Sequence, residues 1–107
     1  MAKPLRAALA AALLMCLCGA AAADERESTR LTYLAGTCNA CHGSSITIPA
    51  LAGRPAPETA AALRAWRDGS RVNPIMNAVA GGLDDDAIDG LADLFAHAEP
   101  IAGEARP

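Results

Sequence analysis

The sequence predicts an all-α protein. Apolar residues recur at helical spacing in separate stretches, helix start and stop signals bracket those stretches, and no run alternates apolar and polar residues as a half-buried strand would. The β-leaning stretch Ile46-Thr47-Ile48 is too short to build a sheet. The reading is three main helices joined by long loops.

The first segment reads as an address. Lys3 and Arg6 precede an apolar stretch from Ala7 to Cys18, and Ala21-Ala22-Ala23 offers a small-residue cleavage site before Asp24. Residues 1–23 therefore read as a secretory signal peptide. A spanning helix needs about 20 consecutive apolar residues, more than this stretch supplies. Met15 and Leu17 stand before Cys16 and Cys18, where a lipid-attachment signal wants a small residue, so both cysteines are read as leader filler. The expectation is export to the periplasm, with no membrane span after cleavage.

The mature chain, residues 24–107, keeps seven Arg, no Lys and all twelve acids, a net charge of −5. That balance argues against a nucleic-acid partner. Its aromatic residues are Tyr33, Trp66 and Phe95. So few large side chains struggle to fill the core of a small domain, so another source of apolar volume is expected.

The first mature helix is expected around Thr29–Thr37, where Leu31, Leu34 and Ala35 share a face and Gly36 permits close backbone approach. Ser44 to Gly53 reads as irregular chain. The second helix is expected over Thr59–Asp68, with Pro57 in its first turn, Leu63 and Trp66 on one face, and Gly69 as terminator. Ser70 to Asn77 reads as loop, and Ala78–Ala80 as a single turn. Asp84 caps the last helix, whose stripe is Ile88, Leu91, Leu94 and Phe95. This stripe is expected to pack on that of the first helix. The domain core is placed at about 29–98, with a flexible tail over 99–107.

The chemistry sits at Cys38-Asn39-Ala40-Cys41-His42. C-x-x-C-H fits covalent attachment of a c-type haem, with thioethers at Cys38 and Cys41 and His42 beneath the iron. A thioredoxin-like dithiol needs a strand before the motif, and none is visible. A zinc site needs four ligands, and adjacent Cys41 and His42 make awkward tetrahedral partners. A simple disulfide is the remaining reading. The full motif in an exported all-α chain of this size selects one covalent haem c, which also supplies the missing core volume. Met76 is the one methionine in the mature chain and follows Pro74 outside any periodic helix, so it is the candidate sixth ligand. His97 is the alternative and reads as exposed.

These motifs resemble those of class I c-type cytochromes over about Leu31 to Ala96. The order is Cys-x-x-Cys-His-Gly, a proline after a loop, a helix ending Trp66-Arg67-Asp68-Gly69, then Pro74-Ile75-Met76-Asn77, then an acid-capped helix with a late aromatic. The variant is similar to cytochrome c4 halves and to the haem subunits of flavocytochrome c sulfide dehydrogenases. The resemblance implies the class I cytochrome c fold, three main helices and loops wrapped around one haem. It also implies that the Pro49 carbonyl accepts from His42 Nδ1–H and holds the ring.

Filled His/Met axial sites suit one-electron exchange and leave no open position for substrate. The expected function is electron transport without catalysis, either as a free carrier or as the electron-accepting subunit of a complex. Redox proteins are the expected partners, a flavoprotein sulfide dehydrogenase among the candidates. The competing reading is a haem enzyme or sensor in which Met76 is labile. Arg54, Arg64, Arg67 and Arg71 cluster in the middle segment, and Arg71 and Trp66 are candidate haem contacts, toward the propionates in particular.

Overall fold

The computed structural model describes residues 3–43 and 45–100. Every regular element among them is a helix: α1 Lys3–His42, α2 Ala56–Asp68, α3 Pro74–Gly81 and α4 Asp85–His97. The expected flexible tail lies, beyond Pro100, outside the described residues. The chain divides into two compact units, Met1–Thr32 and Tyr33–Pro107.

The first unit is the N-terminal part of α1. Alanine and leucine are the strongest helix formers, and Asp24 to Ser28 contains no glycine or proline to interrupt them. The helix therefore does not begin near Thr29 but runs through that position. Thr29 and Thr32 donate their hydroxyls back to the carbonyls of Glu25 and Ser28, at 2.8 and 2.9 Å. Leu9, Leu13, Leu14 and Leu17 are exposed. A window of this helix with mean hydropathy 1.9 has the length and composition to cross a membrane, and none of it is buried.

In the second unit α2 packs on both α3 and α4. Ile88, Leu91 and Phe95 of the α4 stripe are buried, while Leu94 is half-buried. Ala80, Ala87 and Ala92 are buried beside them, and such small residues let helices lie close. Asp84 caps α4 by accepting from Ala87 N–H at 2.8 Å, and Asp85 and Asp86 occupy its first turn. Helix α2 carries Pro57 in its first turn and ends at Gly69, whose φ of +85° is left-handed. The loop before α2 is tied to the end of α4 by Gly53 N–H, which donates to the Phe95 carbonyl at 2.7 Å.

Three further expectations change. The last helix does not pack on the first: among the described residues α4 packs on α2, because the Ile88, Leu91 and Phe95 face meets the small side chains of its neighbour, and α4 does not pack on α1. Pro74 does not bar helix: it opens α3, so Met76 sits in a first helical turn and not in a loop. Gly36 is exposed, and a Cβ there would meet nothing within 4 Å, so no backbone approach depends on it.

The arginine cluster also separates. Arg67 reaches Asp85 at 2.7 Å and Arg64 reaches Asp89 at 2.9 Å, joining α2 to α4 at the surface. Bonding to Arg67, and then the Arg64 charge, hold the Asp85 carboxyl below its ordinary range. A depressed carboxyl contributes stability above its unfolded pKa, about 4, and loses it as pH falls through the lower folded value. Acid unfolding of Arg67→Gln should therefore show a shallower loss of stability below pH 4, and added salt should shrink the difference. Phe95→Ala should cost about 3–5 kcal/mol, read as a lower urea midpoint, because the ring is buried and its loss leaves a cavity.

Candidate functional site

The motif occupies the last turn of α1, so Cys38 and Cys41 are three residues apart on a helix and fall on one side of it. Gly43 follows. Its N–H donates to the Asn39 carbonyl at 2.8 Å, and a Cβ on it would stand 2.5 Å from that oxygen. Only glycine allows the chain to close this tightly over the turn.

His42 Nδ1 lies 2.6 Å from the Pro49 carbonyl oxygen. A carbonyl only accepts, so Nδ1 carries the proton and the lone pair is left on Nε2. The loop thus returns seven residues after the histidine to fix its tautomer and ring orientation. Within that loop, Ser45 Oγ accepts from the N–H groups of Thr47 and Ile48, at 3.2 and 3.1 Å.

Helix α3 begins at an asparagine cap. The Asn73 side chain accepts from Ile75 N–H and Met76 N–H, both at 3.0 Å. Asn77 locks the same turn to α2. Its side-chain amide donates to the carbonyls of Trp66 at 2.7 Å and Arg71 at 2.9 Å, while its carbonyl accepts from Asn73 N–H at 2.9 Å. Arg71 lays its guanidinium 4.1 Å from the centre of the Trp66 ring, a cation–π contact.

These pieces meet at a cavity of about 450 Å³. Cys38, Cys41, His42, Pro49, Trp66, Arg71 and Met76 all line it. The remaining wall is largely apolar, with Ile48, Leu51, Leu63, Val79, Leu91 and Phe95. Arg54 lines it too, its Nε donating to the Ala50 carbonyl at 3.1 Å. His97 does not. It is exposed at the end of α4, with Nδ1 2.9 Å from the Asp93 carbonyl oxygen.

One wall residue went unnoticed in the sequence. Thr59 is buried, and its hydroxyl oxygen has no hydrogen-bond partner. Leaving a buried hydroxyl unpaired costs about 1–3 kcal/mol. Its signal was weak, a lone threonine in an alanine-rich helix. Asn73 and Asn77 had a better signal, Asn-Pro followed by a second asparagine, which reads as a cap with proline at the first helical position.

Cys38 and Cys41 are not joined in a disulfide, and burial pushes the Cys38 thiol up. Dithiol exchange wants the reverse, a lowered thiol near a positive group or at a helix start. Among the described residues no three His, Cys, Asp or Glu side chains converge to hold a metal ion between them.

No protein-family profile matches the chain, and no solved structure matches it. A curated protein of Stutzerimonas stutzeri (strain A1501), described as a thiosulfate dehydrogenase electron acceptor, is 37% identical over 68 residues. The match covers 56% of this chain and 32% of that protein, so the chain spans about a third of the length of the relative it matches.

Asn73→Ala should lower stability by about 1 kcal/mol through loss of the cap, measured by urea unfolding. Asn73→Asp should retain most of it, since aspartate caps equally well.

Proposed function

We propose that this chain is an exported c-type cytochrome domain with one covalent haem that carries single electrons. The observation that carries the reading is the convergence of C-x-x-C-H from α1 and Met76 from α3 on one largely apolar cavity. The donor set fits the group: two thiols one helical turn apart, an imidazole whose Nε2 is left free, a thioether, and two arginines for carboxylates. Bound there, the haem would supply a one-electron iron couple. Cys38 and Cys41 would hold it covalently, and His42 and Met76 would be its axial ligands.

The residues divide the remaining work. Pro49 keeps the His42 proton on Nδ1. The apolar wall would limit water around a group held in the cavity. Trp66 and Arg71 offer an indole N–H and a guanidinium to carboxylates at the cavity edge. The Asn73 cap holds Met76 in an ordered turn, which favours a fixed sixth ligand over the labile one that a haem enzyme or sensor requires.

The partner proposed is a thiosulfate-oxidising dehydrogenase, because the relative is named as the electron acceptor of such an enzyme. The comparisons lend no support to a flavoprotein sulfide dehydrogenase. Export to the periplasm rests on the cationic, apolar and small-residue order of residues 1–23 and on an exposed N-terminal helix that no core contact explains. Class I cytochrome topology is the finer fold proposed for the all-α second unit.

The purified protein should carry the mass of one haem that survives acid–acetone extraction, and it should begin at Asp24. Release of free haem would overturn the covalent reading. Oxidised protein should show a weak long-wavelength band that Met76→Ala removes and His97→Ala leaves unchanged. Reduction of the protein by a thiosulfate dehydrogenase in the presence of thiosulfate tests the partner.

A further inference from the structure

We propose that Thr59 tunes the redox couple, by donating its hydroxyl hydrogen to an acceptor on the haem or on its axial thioether; this rests on the functional reading above. Four threonines of this protein lie in helices. Thr29, Thr32 and Thr37 each donate to the carbonyl four residues earlier, at 2.8, 2.9 and 3.2 Å. Thr59 does not, although it is the most buried of the four. Its carbonyl four residues back belongs to Pro55, and that oxygen already accepts from Glu58 N–H at 3.0 Å and Thr59 N–H at 3.4 Å. The hydroxyl is left without a partner inside the protein.

Its surroundings narrow what it serves. Thr59 lines the cavity together with Leu63, Leu91 and Phe95, none of whose side chains can accept a hydrogen bond. It is also the one buried polar residue among the described residues. Buried hydroxyls are ordinarily satisfied, and although the Thr59 oxygen is sealed in the rotamer present, its residue lines the cavity, so a turn about Cα–Cβ offers the hydroxyl to a group held there. That assembly offers two acceptors, a propionate carboxylate and the Met76 thioether. Arg54 and Arg71 are the charged residues lining the same cavity, and they too would face a propionate. Donation to either acceptor withdraws electron density from the iron's surroundings and favours the ferrous state.

Thr59→Val keeps the shape and removes the donor, while Thr59→Ser keeps the donor. Both would be made in the haem-loaded protein, with loading verified by mass. At a fixed ambient potential, Thr59→Val should raise the ferric-to-ferrous ratio about threefold, and Thr59→Ser should restore it. A shift of the long-wavelength band in Thr59→Val identifies the thioether as acceptor. A shift of the propionate bending bands in resonance Raman spectra identifies the carboxylate. An unchanged ratio in a loaded Thr59→Val protein, with equal or higher melting temperature, shows the hydroxyl to be an orphan and overturns the proposal alone. Absence of covalent haem in the unsubstituted protein overturns the functional reading and this proposal together.

Discussion

Side-chain volume governs the arrangement of the second unit. Alanines at positions 80, 87 and 92 are buried and bring the helices close, while Ile88 and Leu91 are the largest side chains completely enclosed. Packing of that kind closes the interior at one end only. Towards α1 and the loop at Pro49, the same faces of Leu63, Leu91 and Phe95 border a cavity of about 450 Å³. These residues therefore serve at once as core and as wall. A group that occupies the cavity binds the folded chain and not the unfolded one, so occupancy and folding are linked. On the proposed reading, haem attachment completes a core that the chain leaves open.

Around that cavity, orientation comes from backbone groups more than from charge. The Pro49 carbonyl sets the His42 ring, Asn77 ties two carbonyls at the end of α2 to α3, and Gly53 N–H ties the intervening loop to Phe95. The first two close short stretches of chain, and the Gly53–Phe95 bond joins segments distant in sequence. The ion pairs of Arg64 and Arg67 with α4 acids lie on the surface, where solvent screens them, and they match the two helices without touching the site.

Much of this was legible beforehand, for identifiable reasons. The last helix announces itself by Asp84, two further aspartates and a stripe at 88, 91, 94 and 95; the helix forms as that pattern requires, with Leu94 at the half-buried margin of the stripe. Gly69 reads as a helix stop and adopts the left-handed conformation that makes it one. Helix α3 was missed because a proline can end a helix or begin one. The choice depends on whether the preceding residue can cap, and Asn73 does. The expected helix start near Thr29 failed because a polar run without glycine or proline continues a helix as readily as it starts one. Gly36 suggested a close approach, but it is exposed, and a glycine's latitude is not evidence of its use. Thr59 was invisible because satisfaction is a property of surroundings: the residue becomes unusual only once the Pro55 carbonyl is seen to be spent.

The capped turn at the start of α3 has a mechanical meaning. A sulfur carried on a free loop can leave by rotation of a few backbone bonds. Met76 is instead fastened through its own backbone N–H to Asn73, and Asn73 through Asn77 to the end of α2. For a thioether mounted there, backbone displacement is coupled to the unwinding of a helical turn and the breaking of that chain of hydrogen bonds, which leaves side-chain rotation as the motion available to the sulfur. On the proposed reading, the position of the thioether would then be a property of a small hydrogen-bonded clasp set by two asparagines, neither of them a ligand. Loosening the clasp would widen the range of positions open to that sulfur without touching the sulfur itself.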